Sequence, residues 1–102
     1  MSQSLIKLPE DIIVAQCDRS YTLYFVSKGM CIVEVTDFAD RKHEIREISE
    51  GGIFGEISHI LKVRRTATVK CLDYVSLLCM ARIEGYTFRH LFPLLRKQYL
   101  SY

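Results

Sequence analysis

Three glycines and two arginines near the middle of the chain are the residues best suited to chemistry. Gly51, Gly52 and Gly55 fall within five residues, and the segment after them is long enough for about two helical turns. A helix that starts after a glycine exposes backbone N–H groups without intrahelical partners, and these groups attract an anion. The guanidinium of Arg64 or Arg65 could return to the same place and bond phosphate oxygens in pairs. The segment therefore predicts a local anion site.

The strand that follows the arginines indicates which of them points inward. Apolar residues occupy every second position of residues 66–72, with Val69 among them. Arg65 is in phase with that apolar face and Arg64 is not. A buried arginine is costly unless it is paired, so Arg65 predicts an anionic partner, either a ligand or Glu56. An arginine pair on a solvated surface is the alternative that the residues leave open.

Short segments that predict β-strands make up most of the remaining chain. Their β-branched and aromatic content places the strands at residues 12–16, 21–27, 30–36, 43–49, 66–72 and 74–80. Lys28 and Gly29 predict a tight turn that joins the second and third strands into a hairpin. The spacing of Ile45 and Ile48 in the fourth strand fits either imperfect alternation or a bulge. The last is apolar enough for burial on both faces, with Asp73 in the turn before it.

The last quarter of the chain is mainly helical in pattern. Residues 84–92 have helical spacing, Pro93 interrupts them, and residues 94–102 begin a further helix. Many short strands and a terminal helix predict a mainly β fold, an antiparallel, jelly-roll-like β-roll with a short helix over residues 56–62 and a C-terminal helix. The 102 residues are enough for a single domain, residues 1–102.

Composition excludes several classes of function. A formal charge of +2, from 14 Lys and Arg against 12 Asp and Glu, is too small to indicate nucleic-acid binding. No apolar run approaches the roughly 20 residues of a membrane span, and no signal peptide precedes the first strand, so we expect a soluble, cytoplasmic domain. The cysteines lack CxxC spacing and are expected to be reduced, small core residues on strands. They are Cys17, Cys31, Cys71 and Cys79.

Neither a metal nor a catalytic group is expected. His43, His59 and His90 are widely separated and lack the company of carboxylates that a metal site needs. No Ser-His-Asp or Cys-His grouping can be assembled, and the carboxylates are scattered. The sequence therefore predicts a binding domain without a cofactor, and not an enzyme.

Two segments resemble a known family. Residues 54–58, Phe-Gly-Glu-Ile-Ser, and residues 64–69, Arg-Arg-Thr-Ala-Thr-Val, resemble the phosphate-binding cassette of the cyclic nucleotide-binding domain family, whose pattern is FGE(I/L), a short helix, then R(A/T)A(T/S)V. Residues 24–29 resemble that family's YFI…G segment, and residues 91–93 resemble the helix end after its barrel. The resemblance covers nearly the whole chain and implies the β-roll of the catabolite activator protein.

The resemblance implies cAMP or cGMP as the ligand and a role for each matched residue. Arg65 would pair with the cyclic phosphate, and Glu56 would accept a hydrogen bond from the ribose 2′-hydroxyl. The backbone around Gly55, Ile57 and Ser58 would cap the phosphate at the start of the helix. These five positions and Thr66 are the ligand-binding residues that the resemblance assigns.

Thr66 would lie beside the phosphate or the purine, and it does not decide between adenine and guanine. The Arg64 to Thr66 run is most similar to that of cyclic nucleotide-regulated ion channels. We therefore expect the cytoplasmic sensor domain of a membrane channel, homo-oligomeric in the full-length protein, in which ligand shifts the terminal helices. The alternative is a domain of the same shape that holds no nucleotide and serves as a structural or protein-interaction module, with Arg65 paired to Glu56.

Two departures from the family pattern carry expectations of their own. The family usually has glycine at the positions of Glu10 and Cys17, so the turns there are expected to be reshaped. In the family a long helix after the proline folds over the base, whereas only residues 94–102 follow Pro93. A short or missing lid, in a fragment of a longer protein, is therefore expected.

Overall fold

Two four-stranded antiparallel sheets form the domain. The computed structural model describes residues 2–81 and residue 93. In chain order the elements are β1 (Ser2–Lys7), β2 (Ile12–Val14), β3 (Leu23–Lys28), β4 (Cys31–Thr36), β5 (Lys42–Ile48), β6 (Ile53–Phe54), α1 (Glu56–Leu61), β7 (Thr68–Cys71) and β8 (Val75–Met80). One sheet has the order β1-β8-β3-β6 and the other β2-β7-β4-β5. The predicted antiparallel β-roll with a short internal helix is confirmed, whereas the predicted C-terminal helix falls outside the described residues.

The core lies between the two sheets and is filled by alternate residues of each strand. On β7, Val69 and Cys71 are buried, as the alternation predicted. On β8, Val75 and Leu77 are buried while Ser76 and residues 78–80 are half-buried, so the prediction of burial on both faces was wrong. A sheet that packs its partner on one side buries only that face of a strand. In the part of the chain that the structure describes, no helix has the length and apolarity needed to cross a bilayer.

The predicted hairpin around Gly29 is wrong, because the two strands belong to different sheets. β3 pairs with β6 and β8, whereas β4 pairs with β5 and β7. Gly29 has a φ of +95°, and a Cβ atom there would lie 2.3 Å from the Tyr74 carbonyl oxygen. Asp73, in the segment where the chain crosses back between the sheets, accepts a hydrogen bond from the Met30 N–H at 2.9 Å. Glycine is therefore required by a corner between sheets and not by a hairpin turn.

Sequence reasoning also missed β1 and β6. Of the two interpretations left open for β5, the structure shows the bulge. The residues of β1 are mostly polar and pair with β8 along its whole length at the edge of the sheet. β6 has two residues, too few for a periodic pattern. In β5, Arg46 faces Val33 and Glu44 faces Glu34, so Ile45 is the extra, bulged residue.

The four cysteines are free thiols but do not share one environment. Cys31 and Cys71 are fully buried core residues on strands, as predicted. Cys79 lies on β8, half-buried against the core. Cys17 is exposed in a turn, so the core prediction was wrong for it, because a turn residue outside the strands has no face to bury.

The turns at Glu10 and Cys17 keep the backbone that a glycine would adopt. Their φ angles are +72° and +74°, in the left-handed region, so the expectation that these turns are reshaped was wrong. Hydrogen bonds hold the second turn in place, since the Cys17 N–H donates to the Arg65 carbonyl oxygen at 2.8 Å and the Arg65 N–H donates to the Asp18 carbonyl oxygen at 2.9 Å. A side chain with a Cβ atom is therefore held in a conformation that costs it about 1 kcal/mol.

Replacement of Cys17 by glycine should stabilise the domain. Cys17→Gly removes the left-handed strain but gives the unfolded chain more freedom, so we expect a net gain of about 0.5 kcal/mol, or a rise of about 3 °C in the unfolding midpoint. The measurement is thermal and urea unfolding followed by circular dichroism. Cys17→Ala is the control, because it removes the thiol and keeps the Cβ atom. Equal stability of the two variants would show that the turn is not strained.

Candidate functional site

One cavity of about 310 Å³ brings together the six residues that the sequence selected. Gly55, Glu56, Ile57 and Ser58 reach it from the start of α1, and Arg65 and Thr66 from the segment before β7. The apolar part of its wall is formed by Val14, Val33, Val35, Ile45, Phe54, Ala67 and Val69. Arg46 completes the lining. A volume of this size is at the lower end of the range for small-molecule sites.

The start of α1 is built by a glycine in the left-handed region. Gly55 precedes the helix with a φ of +87°, and a Cβ atom there would lie 2.6 Å from Nη1 of Arg65. The Gly55 carbonyl oxygen accepts the first helical hydrogen bond, from the His59 N–H at 3.1 Å. Glu56 and Ser58, in the first turn, are buried. The arginine can therefore approach the helix start only because this residue has no side chain.

Arg65 is the buried arginine, as predicted, and is 4% exposed. Its Nε donates to Oγ of Ser20 at 2.9 Å, and its Nη2 donates to the Thr22 carbonyl oxygen at 2.8 Å. Its Nη1 donates to Oγ of Ser58 at 2.6 Å and to the Gly55 carbonyl oxygen at 3.3 Å. Within residues 2–81 its hydrogen-bond partners are therefore all neutral oxygens.

The sequence predicted an anionic partner for Arg65, either a ligand or Glu56. Within residues 2–81, no carboxylate lies within ion-pair distance of Arg65, although Glu56 acts on it electrostatically from further away. Arg64 is exposed and donates to the Cys17 carbonyl oxygen at 3.0 Å. The arginine that lies at the cavity thus keeps its positive charge without a bonded counter-charge from the described chain.

Burial determines the electrostatics of the guanidinium. Burial lowers the pKa of Arg65 from its ordinary value, whereas Tyr24, Asp18 and Glu56 raise it. The guanidinium carbon lies 5.9 Å from the centre of the Tyr24 ring, and that ring stacks on Phe54 at 5.0 Å between centroids. Since the surroundings are poorly solvated, the attraction between this cation and an anion in the cavity is stronger than it would be at the surface.

Arg46 is a cavity residue that sequence reasoning missed. It lies on β5 opposite Val33 of β4, which in turn lies opposite Val69 of β7. Two strand spacings separate β5 from β7, or about 10 Å. The cavity therefore has one cationic end at Arg65 and another cationic side chain across the sheet. Because the bulge at Ile45 interrupts the alternation of β5, the sequence pattern did not indicate that Arg46 faces the cavity.

Ser20 and Thr22 were missed for a different reason. Each bonds Arg65 from more than 40 positions earlier in the chain. A contact at that separation leaves no periodic signal, and a serine before a strand is ordinary. Their role is visible only in the folded chain.

The described histidines do not form a metal site. His43 is exposed and bonds Asp37, while His59 is buried on α1 and its Nδ1 donates to the Tyr21 carbonyl oxygen. His90 lies outside the described residues. Between residues 2 and 81 there is no group of three or more His, Cys, Asp or Glu side chains placed to hold a metal ion.

Comparison with known proteins gives a family match over most of the chain. The sequence profile of the cyclic nucleotide-binding domain matches residues 8–88. A cAMP-dependent protein kinase regulatory subunit of Dictyostelium discoideum is 32% identical over 81 residues, which cover 79% of this chain and 24% of that protein. The chain thus spans about a quarter of the length of that curated relative.

Solved structures share the fold at lower identity. The Thermus thermophilus catabolite activator protein superposes with a TM-score of 0.80 at 24% identity, over 98% of this chain and 47% of that one. The regulatory domain of Toxoplasma gondii PKA with cAMP gives 0.79 at 22% identity, over 99% and 40%. A regulatory subunit of a cAMP-independent protein kinase A from Trypanosoma cruzi, bound to guanosine, gives 0.81 at 18% identity, over 94% and 35%.

Gly55 should be far less tolerant of a side chain than Gly51, although both have φ near +90°. A Cβ atom at Gly51 meets nothing within 4 Å, whereas one at Gly55 meets Nη1 of Arg65 at 2.6 Å and the Thr22 carbonyl oxygen at 2.8 Å. We expect Gly51→Ala to cost about 1 kcal/mol of unfolding free energy and Gly55→Ala about 3 kcal/mol, since only the second adds a clash to the backbone strain. Urea unfolding measures both; similar losses would contradict the packing of Arg65 against Gly55.

Proposed function

The chain belongs to the cyclic nucleotide-binding domain family, and we propose that it binds a cyclic nucleotide monophosphate, cAMP or cGMP, in the cavity at Arg65. One observation carries the proposal: a buried guanidinium at the start of α1 whose partners within residues 2–81 are neutral oxygens. A phosphate would give it a counter-charge, and its oxygens can accept two parallel hydrogen bonds from one guanidinium.

The lining of the cavity suits the three parts of such a ligand. The phosphate lies against Arg65 and the backbone at Gly55, and the Glu56 side chain accepts from the ribose 2′-hydroxyl. The purine covers the apolar wall around Val33 and Val69. Arg65 and Glu56 supply specificity for a ribose with a phosphate attached, and the valines supply contact area for the flat ring.

The proposed role is that of a regulatory sensor and not of an enzyme, and neither a metal nor a cofactor takes part. Phosphate binding would replace the bond from Arg65 to Ser58, which lies on α1, so ligand and helix compete for one guanidinium. Ligand would thus favour one placement of α1 over another, and an attached effector would read that change. A ligand that gripped both placements equally would shift nothing.

The proposed effector is a membrane channel. Similarity of the Arg64–Thr66 run to ion channels supports a membrane channel and a homo-oligomer in the full-length protein. The chain is also similar to kinase regulatory subunits and to a catabolite activator protein, and this similarity supports a regulatory domain without specifying the effector.

A domain that holds no cyclic nucleotide is the competing function. It is favoured by the hydrogen bonds that already satisfy Arg65 from Ser20, Thr22, Gly55 and Ser58 without any ligand. The fold neighbour bound to guanosine adds a second form of this alternative, a nucleoside site without phosphate. Cyclic nucleotide binding requires the Arg65 guanidinium for affinity, whereas the alternatives do not, so substitution of Arg65 distinguishes them.

Replacement of Arg65 by alanine should abolish most of the affinity for cyclic nucleotides. The expected loss is about 2 to 5 kcal/mol, or at least about 30-fold in Kd, because a desolvated charge pair with the phosphate is removed. The measurement is calorimetric titration with cAMP, cGMP and guanosine. Arg64→Ala is the matched control, since it removes an exposed arginine one position away and should change the Kd by less than about threefold.

Three results would contradict cyclic nucleotide binding. The first is that the unaltered chain binds neither cyclic nucleotide. The second is an equal loss of affinity in the Arg65→Ala and Arg64→Ala variants, and the third is guanosine binding as tight as that of cGMP. Unfolding of each variant is followed in parallel, so that loss of the fold is separated from loss of the site. Arg65→Lys keeps the charge without the paired geometry and should retain part of the affinity.

Arg46, which lines the cavity from β5, supports a preference for guanine. An arginine side chain carries only donors, and guanine presents two acceptors, O6 and N7, on one edge where adenine presents an acceptor and a donor. Arg46 lines the cavity on β5, about two strand spacings from the strand that follows Arg65. The base therefore meets a side chain that suits guanine better, and cGMP is proposed as the preferred ligand.

Replacement of Arg46 by alanine should weaken cGMP selectively. Loss of a paired contact with a base is worth about 1 to 3 kcal/mol, so we expect a rise of about 5- to 150-fold in the Kd for cGMP and less than about threefold for cAMP. Competition between the two nucleotides for the same sample gives the ratio directly. Lys42→Ala removes an exposed positive charge from the same strand and should leave the ratio unchanged. A parallel loss for both nucleotides would assign Arg46 to general electrostatics.

A further inference from the structure

Two fully buried cysteines lie directly opposite each other on neighbouring strands. Cys31 of β4 and Cys71 of β7 are register partners, and each is 0% exposed with a free thiol. They belong to the same core cluster as Val33 and Val69, the register partners two residues further along, which line the cavity. The pair is therefore part of the sheet that carries the site, and the proposed function makes no use of it.

The backbone hydrogen bonds show which kind of pair the cysteines form. The Cys71 N–H donates to the Asp11 carbonyl oxygen, and the Cys71 carbonyl oxygen accepts from the Glu10 N–H, both at 2.9 Å. Both backbone groups of Cys71 thus point away from β4, and the ladder bond to β4 comes from Leu72, whose N–H donates to the Met30 carbonyl oxygen at 2.9 Å. Cys31 and Cys71 are therefore a non-hydrogen-bonded pair.

The spacing of such a pair suits a covalent link. Directly opposite residues of a non-hydrogen-bonded antiparallel pair have Cα atoms about 4.5 Å apart, with side chains closer than in the hydrogen-bonded pairs. This separation falls within the range of about 4.4 to 6.8 Å that disulfides span. We propose that Cys31 and Cys71 are a modification site at which a small-molecule disulfide oxidant forms a reversible cross-strand disulfide.

The chemistry proceeds by two exchanges. One protein thiol loses its proton and attacks the oxidant, forming a mixed disulfide and releasing one small thiolate. The second protein thiol then loses its proton and attacks the protein sulfur of that mixed disulfide, which releases the second small thiolate. The two cysteines are oxidised by two electrons, the oxidant is reduced by two, and the two protons are taken up by the released thiolates.

Burial makes the exchange slow in the closed sheet. It raises the pKa of Cys31 to about 12 and also raises that of Cys71, so little thiolate is present at neutral pH. Reaction therefore requires transient separation of β4 from β7, and the rate should rise steeply with temperature below the unfolding midpoint. Once formed, the link is protected by the same burial until the strands part again.

The link should stabilise the fold. It closes a segment of about 40 residues, which restricts the unfolded chain. The expected result is a rise on the order of 10 °C in the unfolding midpoint. Such a link would also fix the spacing of the two strands that carry Val33 and Val69, two residues further along in the cavity wall.

The test is oxidation of the unaltered chain with glutathione disulfide at a series of temperatures below the unfolding midpoint. Samples are alkylated under denaturing conditions and analysed by mass spectrometry, and cross-linked peptides are assigned by fragmentation. We expect a Cys31–Cys71 cross-link that accounts for the loss of two hydrogen atoms in mass, no alkylation of either of these two cysteines, the higher unfolding midpoint, and complete reversal by dithiothreitol.

Matched variants separate this pair from the other thiols. Cys17→Ser removes an exposed thiol and should leave the cross-link intact, whereas Cys31→Ala should prevent it. If Cys31→Ala does not fold, the peptide assignment in the unaltered chain decides alone. The proposal is overturned by a link that involves Cys17 or Cys79, by glutathione adducts without a cross-link, by retention of all four thiols close to the midpoint, or by a lower midpoint after cross-linking. None of these readouts depends on nucleotide binding.

Discussion

A positive charge held away from water by neutral oxygens is the constraint on which this site depends. A buried guanidinium costs several kcal/mol unless its donors are satisfied. For Arg65 the acceptors come from the loop before β3, at Ser20 and Thr22, and from the start of α1, at Gly55 and Ser58. Two segments far apart in the chain are thus held to one side chain. A shift of either segment would break hydrogen bonds around a buried charge, so the two are energetically coupled.

The main chain of the same residue adds a second attachment. The Arg65 N–H and carbonyl oxygen bond the Asp18 carbonyl oxygen and the Cys17 N–H, and these bonds hold Cys17 in a left-handed conformation that a cysteine rarely adopts. Backbone strain is tolerated where surrounding contacts over-determine the structure. Here the contacts that hold the strained residue in place come from Arg65. The loop that supplies Ser20 and Thr22 is therefore fixed at its start by backbone hydrogen bonds and at its end by the guanidinium.

Those parts of the site that depend on local rules could be predicted from the sequence, and those that depend on pairing between distant segments could not. The inward direction of Arg65 follows from strand alternation, and the helix start after Gly55 follows from the freedom of glycine. By contrast, Gly29 is equally compatible with a hairpin turn and with a corner between sheets, and only contact with residues of the β7–β8 corner decides between them. Ser20 and Thr22 have no local signal, because their partner lies more than 40 positions away.

The hydrogen bonds already made by Arg65 also limit what a ligand can gain. A phosphate at Nη1 would replace the Ser58 hydroxyl and the Gly55 carbonyl oxygen, so its net contribution is the difference between charged and neutral acceptors and not the whole of a new bond. The Ser58 hydroxyl donates to the Gly55 carbonyl oxygen at 3.3 Å, and a hydroxyl can rotate to donate to the phosphate instead. Both arrangements leave the buried charge satisfied. If phosphate binding releases Ser58 from the guanidinium, ligand and α1 make different contacts in the two arrangements, which is what the proposed sensor role requires.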